Sequence, residues 1–125
     1  MHKKIYFWSA FFWTIFIVVL SLVSFSEAPE VLSELSSYDK LAHFVFYFVF
    51  VFLWGNFVFY NKQIQSRTLF LILWIALIIG GIIEVCQEIF TQKRTADIYD
   101  MLANFVGALI GIGALYIYRK NKKKL

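Results

Sequence analysis

Four long apolar stretches, at 5–25, 41–60, 69–90 and 101–118, constrain the fold of this 125-residue chain more than any other feature. A helix needs roughly 20 mostly apolar residues to cross the hydrocarbon of a bilayer. Because lipid offers no hydrogen-bond partners to a bare backbone, each stretch should be helical. Charged residues make up only 16% of the chain, against about a quarter in soluble domains. The chain therefore belongs to the membrane class.

We predict a single all-α domain over residues 1–125, an integral membrane four-helix bundle with helices at about 5–25, 40–60, 68–90 and 98–118. Short connections make neighbouring helices antiparallel. The first apolar run is longer than the roughly 7–15 residues of a signal-peptide core, which favours an uncleaved helix. The single cysteine, Cys86, excludes an intrachain disulfide and a CxxC-type metal or redox site.

Basic and acidic residues fall into different connections. Nine of the twelve basic residues lie before the first predicted helix, between the second and third, or after the fourth, and these segments contain no acidic residue. All eight acidic residues lie in or beside the other two connections. The positive-inside rule then predicts that both termini are cytoplasmic and that the acidic connections lie outside. The basic C-terminal tail suits anionic headgroups better than nucleic acid.

Polar residues gather at the outer end of the second and third predicted helices. The second opens with DKLAHFVFY, in which steps of four place Asp39, His43 and Tyr47 on one face. The third ends on two carboxylates and an amide at helical spacing. These residues are Glu84, Gln87 and Glu88. Gly80, one turn before Glu84, would let a neighbouring backbone approach closely.

The fourth predicted helix follows Arg94 and begins ADIYDMLANFVGALIG. One face of it, about 100° wide at 3.6 residues per turn, is polar at its outer end and carries small residues further in. Its members are Asp97, Asp100, Asn104, Gly107, Ala108 and Gly111. Gly107 and Gly111 have the GxxxG spacing of tight helix packing. Three helices thus predict one polar cluster at the extracytoplasmic end, to which the first helix adds no ionisable group.

These blocks carry a resemblance to a known family. DKLAHFVFY, a Glu-x-x-Gln on the third helix, an arginine and then DIYDMLANFVGALIG resemble the VanZ-like family of small bacterial membrane proteins, from about 39 to 111. The resemblance implies a multi-pass protein of the bacterial cell membrane, in a family whose namesake is linked to low-level resistance to the glycopeptide teicoplanin. It implies no particular reaction. The shared polar positions are Asp39, Lys40, His43, Tyr47, Glu84, Gln87, Arg94, Asp97, Asp100 and Asn104; Glu88 is an additional carboxylate.

Several of these residues also have a purely structural interpretation. Asp39 and Asp97 are natural helix N-caps, and Asp100 lies in a first turn, where the helix dipole favours acids. Lys40 can extend its ammonium to the headgroups, and Asn104 can join two helices.

The position of Glu84 in an apolar helix is explained better by a functional role than by a structural one. A charge at membrane depth is costly and indicates a functional site by default. The sequence offers His43 and Arg94 as residues that could pair with the Glu84 carboxylate. A Glu–Arg ion pair is the structural alternative.

The first functional hypothesis is an enzyme that acts on a lipid-linked cell-wall precursor or another envelope lipid. Glu84 or His43 would be the general base with Asp100 as its partner, and the remaining shared positions would bind substrate. Those positions are Arg94, Gln87, Asp97, Asn104, Tyr47, Asp39 and Lys40. We assign no metal ligands and leave cofactors open. Carboxylates of Glu84, Asp97 and Asp100 suit a hard divalent ion, but D-x-x-D spacing is also what a helix start produces.

Two other classes of function remain open. The protein could be a non-catalytic accessory or structural membrane protein that binds or shields an envelope precursor. A small transporter fits less well, because its carboxylate should lie near the membrane midplane whereas these acids lie near one end. The sequence alone does not separate catalysis from binding, and the oligomeric state is open.

The predicted topology can be tested by cysteine labelling in intact cells. We expect Glu30→Cys and Thr95→Cys to react with a membrane-impermeant thiol reagent, because both replace residues in the acidic connections. Native Cys86, near the outer end of the third helix, should react poorly. Reaction of Lys62→Cys without reaction of Glu30→Cys would show that the orientation in the membrane is the reverse of the predicted one.

Overall fold

The computed structural model describes residues 2–22, 39–90 and 98–123, which form four α-helices. They are α1 (His2–Leu22), α2 (Asp39–Val58), α3 (Ser66–Phe90) and α4 (Ile98–Lys123). All four are long and apolar enough to cross a membrane, and the described residues contain no strand. The prediction of an all-α membrane protein with four spanning helices is confirmed. The cytoplasmic placement of the termini stays a prediction.

A tight turn connects α2 to α3. The Phe59 amide donates to the Gly55 carbonyl at 2.9 Å, and the Lys62 amide donates to the Phe59 carbonyl at 2.9 Å. Asn61 has a φ of 57°, in the left-handed region that asparagine tolerates better than most residues. Arg119 of α4 also donates to the Phe59 carbonyl, which places a cation at a helix C-terminus where the dipole favours it.

The most extensive helix contact joins α2 to α4. A Cβ atom added at Gly107 would collide with the main-chain carbonyl of Phe44, and one at Gly111 would lie 2.8 Å from the carbonyl oxygen of Phe48. The two glycines therefore let the backbones of α4 and α2 touch directly, as the GxxxG spacing predicted. Gly113, by contrast, faces open space.

Indole hydrogen bonds attach α1 to α2. Trp13 Nε1 donates to the carbonyl of Phe46 at 2.9 Å, and Trp54 Nε1 donates to Thr14 Oγ1 at 3.0 Å. Large apolar side chains on the outer surface remain exposed, among them Trp8 at 52% and Phe70 at 62%. Such a surface suits contact with lipid.

We expect Gly107→Ala to destabilise the bundle, because the new methyl group meets a backbone carbonyl that cannot rotate away. Overpacking of this kind costs about 1–3 kcal/mol. The measurement is the thermal unfolding midpoint of the purified protein in detergent.

Gly113→Ala is the matched control on the same helix, and its midpoint should be unchanged or slightly raised, because the methyl group meets open space and alanine is the better helix former. Equal midpoints for the two variants would show that the space between Gly107 and the Phe44 carbonyl can accept a methyl group.

Candidate functional site

The buried ionisable side chains gather where the C-terminal end of α3 meets the N-terminal ends of α2 and α4. His43 is 3% exposed, Glu84 3% and Asp100 6%. Each comes from a different helix, so the antiparallel packing of the bundle brings them together. We call these three residues the His43 cluster. Three ionisable groups buried among apolar helices are costly unless they interact with one another or with a ligand.

The His43 ring is held in place by α4. Its Nδ1 lies 2.9 Å from Asn104 Oδ1, within a buried contact. An amide oxygen can only accept, so Nδ1 carries the donated proton. In the neutral ring this leaves Nε2 with a lone pair. Nε2 lies 4.0 Å from Glu84 Oε1 and 3.8 Å from Asp100 Oδ2, which is too long for a direct hydrogen bond but close enough for strong electrostatic coupling.

Lys40 marks the accessible edge of the cluster. Its Nζ lies 3.5 Å from Asp100 Oδ1, and its side chain is 54% exposed whereas that of Asp100 is 8% exposed. The ammonium also lies 5.9 Å from the ring centroid of Tyr99. A cation therefore stands between the buried carboxylate and the exterior of the bundle.

Gln87 links the site to α1. Its Nε2 donates to the main-chain carbonyl of Ser21 at 2.6 Å, and both residues are buried. This contribution of the first helix was not predicted from the sequence. A main-chain acceptor leaves no signal in residue identity, because every residue has a carbonyl group.

The space beside Gly80 is filled differently from the prediction. A Cβ atom there would lie 2.9 Å from Asn104 Nδ2 and 3.4 Å from the Tyr47 hydroxyl oxygen. The prediction of a neighbouring backbone is wrong, because polar side chains of α2 and α4 occupy the position. Within the described part of the chain, Asn104 Nδ2 is buried and makes no hydrogen bond. Gly80 thus gives these two polar side chains room against α3.

The His43 cluster also has the composition of a metal site. His43, Glu84 and Asp100 can each offer one ligand atom, all within 4.8 Å of one another. One imidazole and two carboxylates suit divalent ions such as Zn²⁺ or Mn²⁺. This set contains a histidine, unlike the all-carboxylate set considered from sequence, whose third member, Asp97, lies outside the described residues. The same three groups can alternatively exchange protons with a bound substrate.

The structure therefore brings six of the ten predicted site residues into or beside one buried network, with Lys40 at its edge. The six are His43, Glu84, Asp100, Asn104, Gln87 and Tyr47. Glu88, the additional carboxylate on α3, is exposed. Asp39 is the first residue of α2, and its side chain lies outside the described structure, as do Arg94 and Asp97.

Comparison with known proteins identifies the family. A family model described as VanZ/LLP1 matches residues 3–119, nearly the whole chain. No match is found among curated proteins or among solved structures. The family match extends beyond the motif-bearing part to include nearly all of α1 and α4 as far as residue 119. With four apolar helices and a match over almost its full length, this multi-pass membrane protein belongs to the VanZ/LLP1 family.

Proposed function

We propose that the protein binds, and acts chemically on, a lipid-linked cell-wall precursor or a related anionic envelope lipid at the His43 cluster. The observation that supports this most directly is the geometry of His43. A ring nitrogen faces two carboxylates from two other helices, and the opposite ring nitrogen is fixed by Asn104.

In this proposal His43 is the general base. With Nδ1 donating to Asn104, the lone pair on Nε2 accepts a proton from a hydroxyl group or a water molecule. Glu84 and Asp100, 4.0 and 3.8 Å from Nε2, stabilise the imidazolium that results. Asn104 acts as a positioning residue, since it selects the tautomer and the ring orientation.

The substrate class follows from charge and location. Lys40 stands at the exposed edge of the cluster beside Asp100, and Arg94 is close in sequence to the start of α4. Cations at the edge of a site rich in carboxylates favour an anionic ligand such as a phosphate. The site lies at the end of helices that can span a membrane, where a lipid-linked molecule would present its headgroup.

The deciding experiment is incubation of the purified protein with lipid-linked cell-wall precursors, with and without divalent metal, followed by mass spectrometry. A product of changed mass would indicate an enzyme. An unaltered precursor that co-purifies with the protein would indicate binding alone. If no precursor is either converted to a product or bound by the protein, the proposal is contradicted.

A non-catalytic accessory role is the second candidate, and one contact favours it. Gln87 donates to a main-chain carbonyl of α1, so part of the polar network holds helices together. In this alternative the protein shields an envelope precursor, and the family link to teicoplanin resistance would arise from reduced access of the glycopeptide to its target.

We expect Glu84→Gln to abolish function while the protein still accumulates in the membrane, because the neutral amide cannot stabilise a protonated His43. The measurement is product formation or precursor binding in the assay above, or teicoplanin susceptibility of cells that produce the protein. Glu88→Gln is the matched control four residues further along α3. Glu88 is exposed, so its loss should be mild. Equal tolerance of the two changes would reduce Glu84 to a structural residue.

Arg94 separates a ligand-binding role from a structural one. If its guanidinium holds an anionic headgroup through two parallel hydrogen bonds, Arg94→Lys should lose function while its thermal stability in detergent stays near normal.

A structural role for Arg94 predicts a different result. If the residue only balances Glu84, Arg94→Ala should lose about 3–5 kcal/mol by leaving a buried unpaired charge. The double variant Glu84→Gln/Arg94→Ala should then regain much of the stability, and a return of function as well would make both residues structural. That recovery would rule out the ligand-binding role.

A further inference from the structure

A basic cavity lies at the end of the bundle opposite the His43 cluster. Its volume is about 760 Å³, and its walls come from the α2–α3 turn and the C-terminal part of α4. The lining side chains that carry charge or an aromatic hydroxyl are Tyr60, Lys62, Tyr116, Arg119, Lys120 and Lys122. The size is within the range of sites that hold small molecules or headgroups.

The basic cavity carries an excess of positive charge. Four of its lining residues are cationic. The sequence has no acidic residue between Asp39 and Glu84 and none after Asp100. Within the described ranges, no ion pair involves a cation of the cavity. Such a concentration of positive charge attracts an anion from outside the chain.

Several of these cations are held in position. Arg119 donates one guanidinium nitrogen to the Phe59 carbonyl, which fixes that side chain against the turn. The Lys122 ammonium lies 6.0 Å from the Tyr6 ring centroid and 5.7 Å from that of Tyr118. Cation–π contacts of this kind restrict the side chains before a ligand arrives, so less conformational freedom is lost on binding.

The surroundings indicate that the anion is carried by a lipid. Tyrosines line the cavity together with the lysines, and tyrosine is typical of the boundary between hydrocarbon and headgroups. Next to the cavity, α4 presents exposed apolar surface, with Ile117 60% exposed and Tyr116 46% exposed. An acyl chain can lie along that surface while the phosphate reaches the cations. Basic sites between spanning helices bind anionic headgroups in this way.

We propose that the basic cavity binds the phosphate headgroup of an anionic phospholipid, such as phosphatidylglycerol or cardiolipin. The site is separate from the His43 cluster and independent of its chemistry. By the predicted topology it would face the inner leaflet, whereas the His43 cluster would face outward. A bound lipid at this end would tie the α2–α3 turn to α4.

Native mass spectrometry of the full chain, released from detergent with added phosphatidylglycerol, tests the proposal. We expect Lys62→Gln/Lys120→Gln to weaken lipid binding by about tenfold or more, from the contribution of each basic residue near an anionic lipid. The control is Lys4→Gln/Arg67→Gln, which removes the same charge from exposed residues of the same end that do not line the cavity. Its affinity should stay within about twofold of the parent, a limit set by screening of exposed charges.

Equal weakening in the two double variants would overturn the proposal, because it would reflect general surface charge. Equal binding of zwitterionic phosphatidylcholine would also overturn it. Displacement of the lipid by inorganic phosphate at equal concentration would assign the cavity to a free anion and contradict a lipid site. If the cavity variant has a lowered unfolding midpoint, the single variants Lys120→Gln and Lys4→Gln provide the same comparison.

Discussion

At Gly107 the backbone of α4 meets the main-chain carbonyl of Phe44 on α2 with no side chain between them. The nearby polar contacts depend on this short distance between helices. His43 precedes Phe44 in the chain, and Asn104 lies one turn before Gly107, so the same approach brings Asn104 Oδ1 within 2.9 Å of the His43 ring. A bulkier residue at Gly107 would separate the helices and with them the histidine from its amide. The small residue and the polar pair form one structural unit.

Polar groups in such a bundle must find partners inside it, because lipid provides none. The described contacts meet this requirement largely through main-chain carbonyls. Thr14 donates to the carbonyl of Ala10 at 2.8 Å, and Asn56 donates to that of Phe52 at 2.8 Å. These hydrogen bonds stabilise individual helices, whereas Gln87 joins α3 to α1. The His43 cluster differs, since it brings two carboxylates from two other helices to within 3.8–4.0 Å of one buried imidazole nitrogen.

The fold could be predicted from the sequence because apolar length is a direct physical requirement for crossing a bilayer. The helical period also predicted which faces turn inward, and His43, Tyr47, Asp100 and Asn104 are all buried. Other features depend on how helices are rotated and offset against one another, which periodicity along one helix does not determine. The space beside Gly80 belongs to this group, as do the distances from the His43 ring to the Glu84 and Asp100 carboxylates. The acceptor on Ser21 was hidden because every residue has a main-chain carbonyl.

The hydrogen bond between Gln87 and the Ser21 carbonyl also has a consequence for biosynthesis. The donor lies 66 residues after the acceptor, which at typical rates of translation is a delay of about 3–13 s. During that interval α1 is already made, while the side chain that satisfies its terminal carbonyl has not yet emerged from the ribosome. The hydrogen bond that joins α3 to the end of α1 can therefore form only after the third helix has been synthesised. The contacts of α1 with α2 require no such delay, because both helices are made earlier.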